Sequence, residues 1–128
     1  MVYIVTDNRL GVQPIADLST TALLKLGTIV RAEDPTYGGG EFIYLQGVAS
    51  TVVGSTVIWN PVASTTTLTP STANLARPIA VAMSACTASY YGWYQIEGAA
   101  VIKKTAIAVS PNVALYQSQL SAGRVSST

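Results

Sequence analysis

The chain of 128 residues has no histidine, a single cysteine, and only seven Lys and Arg against six Asp and Glu. Each absence removes a class of chemistry. Without histidine there is no Ser-His-Asp or Cys-His nucleophile, and histidine cannot ligate zinc. Cys86 alone builds neither a thiolate cage nor a disulfide framework, and its apolar or small neighbours mark it as a buried, inert thiol. The carboxylates Asp7, Asp17, Glu33, Asp34, Glu41 and Glu97 leave a two-carboxylate glycosidase formally open. Their spacing gives it no support, and Glu33-Asp34-Pro35 reads as a strand end and turn. Gly38-Gly39-Gly40 lacks the Lys and Ser/Thr of a phosphate loop and the strand-to-helix setting of a dinucleotide fingerprint. The expectation is no catalytic residue, no metal, no cofactor, and no enzyme.

Charge excludes more. A net charge of +1 sets up no field that would draw nucleic acid or an anionic membrane, and Lys103-Lys104 is the only adjacent basic pair. No apolar run approaches the roughly 18 residues that span a bilayer. The opening MVYIVTDNRL lacks the basic region and long apolar segment of a signal peptide, so synthesis in a cytoplasm is expected. What is abundant is apolar: hydrophobic residues are 49% of the chain and charged ones 10%, against roughly 25% charged in ordinary soluble domains. Such a surface calls for a partner to cover part of it.

The length indicates one domain, residues 1–128, with residues 1–10 as an N-terminal arm or first strand. Val2-Tyr3-Ile4-Val5 is short and β-branched. Residues 18–26, with Asp17 or Ser19 as a cap, lead to Gly27, the pattern of a helix of one or two turns. Residues 28–32 predict a strand stopped at Glu33-Asp34-Pro35, and Tyr37-Gly38-Gly39-Gly40 a loop. Residues 41–48 predict a strand buried on both faces. Val52-Val53-Gly54-Ser55 then predicts a turn and residues 56–59 the return strand of a hairpin. Residues 60–76 are rich in Ser, Thr, Pro and Ala and read as loop, with a strand-like piece at 65–69. Residues 78–84 alternate, with Ala80, Ala82 and Ser84 forming a small-residue face. A long strand follows over residues 91–103, and two short ones surround Leu115 and Arg124. The pattern is that of an all-β protein, a compact barrel or sandwich of short strands with at most one short helix.

The densest aromatic stretch is YYGWYQIEG, residues 90–98. Alternation puts Tyr94 and Ile96 on one face, expected to be core, and Tyr91, Trp93 and Gln95 on the other, where Trp and Tyr suit a half-buried subunit contact. Val2, Tyr3, Ile4 and Val5 form a second candidate contact, a terminal strand able to add to another protein's sheet edge.

Three segments, LGTIVRAEDPTYGGGEFIYLQGVASTVVGSTV (26–57), ARPIAVAMSA (76–85) and YGWYQIEGAAVIK (91–103), resemble in order and spacing the capsid decoration, or cement, proteins of tailed bacteriophages. The likeness covers roughly residues 12–125 and rests on the whole pattern, with no segment a chemical motif. Leu24-Lys25-Leu26 and the triple glycine depart from it. The resemblance implies a non-enzymatic β fold acting as a structural virion protein. It implies a homotrimer on the outer surface of the capsid that bridges subunits of the major capsid protein and stabilises the expanded head. Many weak contacts repeated over a lattice add up without any strong single site. The competing expectation is a small β recognition module that binds carbohydrate or a host surface, with Tyr90, Tyr91, Trp93 and Tyr94 as its stacking platform.

Overall fold

A computed structural model describes residues 3–6, 13–70, 76–106, 108–119 and 121–127, and its elements are all strands. In chain order these are β1 (Ile4–Val5), β2 (Ile29–Asp34), β3 (Gly38–Gln46), β4 (Thr56–Trp59) and β5 (Thr66–Leu68). They continue as β6 (Ile79–Ala82), β7 (Tyr91–Gly98), β8 (Tyr116–Gln117) and β9 (Val125–Ser126). Seven of them form one antiparallel sheet in the order β1-β2-β3-β7-β6-β4-β5, and β8 with β9 makes a separate ribbon. The architecture is all-β and sandwich-like.

Two hydrophobic clusters lie on opposite faces of the central strands. In β3 the residues Phe42, Ile43, Tyr44 and Leu45 are all buried, because successive side chains of a strand point to opposite faces and both faces are covered. Phe42 and Tyr44 enter a cluster with Ile15, Val30, Ala32, Met83 and Trp93. Ile43 and Leu45 enter the other, with Val57, Ala80, Ala82 and Tyr94. The small face read in residues 78–84 is therefore what lets β6 approach the second core. The sheet curls around that core: the Gln46 amide donates to the Ser64 carbonyl at 3.0 Å and the Thr66 hydroxyl to the Gln46 carbonyl at 3.1 Å. These bonds bring the start of β5 against the end of β3. The ribbon docks through Gly123, which donates to the Thr69 carbonyl and accepts from the Thr56 amide.

Four expectations change, and one open alternative is decided. Residues 18–26 are not helical, because Ser19 exchanges two backbone hydrogen bonds with Tyr91, at 2.9 and 3.0 Å, and those groups are lost to any helix. Leu24 and Leu26 instead roof the first cluster. The triple glycine is not a loop: Gly38–Gly40 open β3 and pair with residues 32–34 of β2, with the turn at residues 35–37. β3 and β4 are not a hairpin, since β7 and β6 lie between them and β4 pairs with β5 and β6. The strand from Tyr91 ends at Gly98 rather than running to 103. The N-terminal segment is an internal strand, Ile4 opposite Glu33 and Val5 opposite Ala32. Val2 lies outside the described residues.

The glycines of β3 and β7 meet for a steric reason. Gly40 pairs with Gly98 beside a bulge at Glu41/Phe42. A β-carbon on Gly40 would lie 2.8 Å from the Glu97 carbonyl oxygen, and one on Gly98 2.6 Å from the Gly39 carbonyl oxygen. Gly98 also has φ +104°, a region that residues with a side chain rarely occupy. Gly38 has φ +79° but open space around it. Gly98→Ala is expected to cost about 2–4 kcal/mol through strain and clash together, and Gly38→Ala only about 1 kcal/mol. Urea midpoints of the two variants measure the difference, and equal midpoints would contradict it.

Candidate functional site

The aromatic stretch is built into the protomer. Trp93 is 0% exposed and Tyr94 2%, one on each face of β7. Trp93 packs edge-on against Tyr44 with ring centroids 5.1 Å apart, a geometry aromatic pairs favour. The polar tips of both rings are satisfied by one residue. The Trp93 indole N–H donates to the Gln13 carbonyl at 2.8 Å, and the Tyr44 hydroxyl donates to Gln13 Oε1 at 2.8 Å. Gln13 is itself buried and its Nε2 donates to the Asp17 carbonyl at 2.7 Å. The segment before β2 thus folds over the outer face of β7 and takes the place expected for a neighbouring subunit.

Gln95 is buried as well, with Nε2 donating to the carbonyls of Glu97 and Ala99. It ties the chain back as it leaves β7. Tyr91 is half-buried against the first cluster. Trp93 and Gln95 therefore correct the expectation of a contact face on β7, since the surface they would offer is used within the chain. Tyr94, on the inner face, is core as expected. Trp93 and Tyr94 also present no ring face on which a sugar could stack.

Tyr3 is part of the protomer too. Its ring meets Phe42 edge-on at 4.8 Å and its hydroxyl donates to the Ala99 carbonyl at 3.2 Å. Val5 packs on the first cluster, while Ile4 points outward. Of the described terminal candidates, Ile4 is the side chain left open to a partner.

A different surface carries the open apolar groups. Between the ribbon and the edge of the sheet lies a groove of about 290 Å³ lined by Ile79, Ile102, Leu115, Tyr116 and Val125, with Thr56 and Thr69 at its base. Ile79 is 62% and Tyr116 60% exposed. Val101, Ile102 and Leu115 are exposed as well, and apolar side chains grouped on one surface mark a site of interaction. No residue lining the groove carries a charge at neutral pH, and residues 105–123 contain no Asp, Glu, Lys or Arg. The signal was present in that run, but its apolar residues follow no strict period, so periodicity did not single them out. Ile79 lies in the alternating residues 78–84, whose pattern marks a strand and not an open face.

Charges are segregated around this patch. Arg77, Lys103, Lys104 and Arg124 are its neighbours in the chain, with the Lys103 carbonyl accepting from the Val125 amide and Arg124 Nη1 donating to the Lys104 carbonyl. The carboxylates of the sheet gather elsewhere, on β2, β3 and β7. There Arg31 Nη1 lies 3.2 Å from Glu41 and 3.6 Å from Glu97, with Glu33 exposed beside them. These pairs are on the surface and stabilise little. Asp34 is buried and accepts from the amides of Thr36 and Tyr37, capping the β2–β3 turn. Among the described residues, no three His, Cys, Asp or Glu stand together in a way that could hold a metal ion, and no helix is long and apolar enough to cross a membrane.

No protein-family model, curated protein or solved structure matches the chain.

Two predictions follow from the buried aromatics. Trp93→Ala removes a filled core site and orphans the Gln13 carbonyl, so it is expected to cost about 3–5 kcal/mol of stability. A chemical denaturation curve reads this directly, and a variant as stable as the parent would place Trp93 outside the core. Burial pushes the Tyr94 hydroxyl up to about 12 from its usual 10, with a hydrogen bond to Thr66 acting against it. Because the folded state holds this proton more tightly than the unfolded chain, its contribution is complete below pH 10. Stability then falls as pH rises from 10 toward 12, by an amount on the order of 2–3 kcal/mol. Denaturation midpoints at pH 9 and 11.5 should show the drop, and Tyr94→Phe should lessen it.

Proposed function

We propose that this chain is a structural protein of a virus head. In this reading it sits on the outer surface of the capsid, made in the host cytoplasm, and bridges subunits of the major capsid protein. As a small oligomer, a trimer in the simplest case, it stabilises the expanded shell. The observation that carries the reading is the open, uncharged groove of Ile79, Ile102, Leu115 and Tyr116 on a chain with so few charges. Exposed apolar groups gathered in one groove mark a surface for association. The three segments that resemble phage decoration proteins support it, since they supply β2, β3, β6, β7 and the first half of β4, the bulk of the main sheet.

The chemistry of such a role is geometric rather than catalytic. A rigid sheet with both central faces packed presents fixed contact surfaces, and repetition over a lattice turns weak contacts into stable attachment. Binding then requires no titrating group, cofactor or metal.

The test mixes the purified chain with expanded, DNA-free phage heads and with unexpanded heads, followed by sedimentation and electron microscopy. Regularly spaced density on expanded heads alone is expected, with Leu115→Asp losing at least tenfold in occupancy. Failure of the wild-type chain to sediment with expanded heads at micromolar concentration would overturn the reading.

A further inference from the structure

The groove is bordered by an open strand edge. β8 has β9 on one side, and among the described residues no strand lies on its other side. β9 is covered along both of its edges. The Val125 amide donates to the Lys103 carbonyl at 3.1 Å, and the Val125 carbonyl accepts from the Thr105 amide at 3.0 Å. Both backbone groups of Val125 therefore point away from β8. Gln117 stands opposite Val125, so the two form a pair without mutual hydrogen bonds, and in an antiparallel ladder such pairs alternate with bonded ones. The next bond along, from the Ser118 amide to the Arg124 carbonyl at 3.0 Å, fits that alternation. By the same geometry the amide and carbonyl of Gln117, an exposed residue, point outward from the ribbon. Leu115, Tyr116 and Gln117 all line the groove. Successive side chains of a strand point to opposite faces, so three consecutive lining residues mean that the groove runs along the edge of β8.

We propose that this groove takes an extended, uncharged segment of another protein, which adds to β8 as a third strand of the ribbon. Main-chain hydrogen bonds to the Gln117 amide and carbonyl hold the segment, and its alternate apolar side chains enter among Ile79, Ile102 and Leu115. Two features specify the occupant. The lining residues carry no charge at neutral pH, and a charged side chain among them would lose water without gaining a counter-charge. The groove is also walled by the ribbon on one side and the main sheet on the other. A lone strand enters such a slot, whereas an edge strand still joined to a sheet of its own does not. The site requires nothing of the shell reading beyond the groove itself, and it adds the form of the partner: a free segment, read mainly through its backbone.

The probe is a blocked octapeptide that alternates serine with valine, titrated to millimolar concentration into the full, isotopically labelled chain and followed by amide NMR. The Gln117 amide should shift and exchange at least tenfold more slowly with peptide bound, while residues 91–96 stay unchanged. Methylating the peptide's backbone nitrogens, or replacing its valines with lysine, should weaken binding at least tenfold. Gln117→Pro removes the outward N–H and none of the bonds to β9, a place where an edge strand tolerates proline, and it too should weaken binding at least tenfold. Slow exchange of the Val125 amide shows that the ribbon of this variant is intact, and where it is not, the methylated peptide decides. A Gln117 amide that does not respond to the peptide overturns the inference. So does equal binding of the methylated peptide, which would mark a pocket for side chains alone. Concentration-dependent protection of the Gln117 amide without peptide would make a second copy the occupant and overturn it as well. Peptide binding by a chain that does not attach to expanded heads would leave this site standing and remove the shell reading. Attachment to heads with no peptide response would do the reverse.

Discussion

The pairing of β3 with β7 is the constraint on which the rest of the fold depends. It sets Tyr44 opposite Trp93 and Ile43 opposite Tyr94, so one ladder feeds both hydrophobic clusters at once. That ladder requires two backbones to approach at Gly40 and Gly98, where a β-carbon on either glycine would collide with the other strand's chain. Once the pair is in place, β2 covers one flank and β6 the other. The segment before β2 closes over Trp93 through Gln13, and β4 and β5 curl around Leu45 and Val57. A chain this short has little core to spare, and it concentrates its aromatics where two layers can share them.

This arrangement explains why the aromatic stretch is not a surface feature. Trp93 has an apolar body and one polar tip, and in isolation such a residue is equally suited to an interface or to a core with a buried acceptor. The Gln13 carbonyl decides between them. With that acceptor supplied from within the chain, burial of the indole leaves no unpaired donor, and the outer face of β7 needs no neighbour. The unmet apolar surface is displaced to the edge of the sheet and the ribbon, where Ile79, Ile102, Leu115 and Tyr116 have no cover of their own.

Much of this was legible from the sequence. The β-branched run at residues 28–32, the nearly continuous apolar run of residues 41–48 and the small face of residues 78–84 each marked a strand, and the absence of helix-length periodicity marked the class. Tyr94 and Cys86 were recognisable as buried. What was not legible depended on contacts far apart in the chain. Gly38–Gly40 reads as a loop until Gly98 is known to lie beside it. Residues 18–26 read as a helix until Ser19 is found bonded to Tyr91, and β3 and β4 read as a hairpin until two later strands insert between them. The groove was the hardest to see. Its walls come from residues 56, 69, 79, 102, 115, 116 and 125, and no local period joins them.

The central claim is that the interaction surface is the groove and not the aromatic strand. Hydrogen exchange read by mass spectrometry tests it most directly, comparing the chain dilute and alone with the chain assembled or bound to expanded heads. Amides of residues 91–96 should already be slow in the free chain and stay so, while those of residues 100–104 and 113–117 should gain protection on assembly. Fast exchange at residues 91–96 that slows only on binding, with residues 113–117 unchanged, would contradict the account.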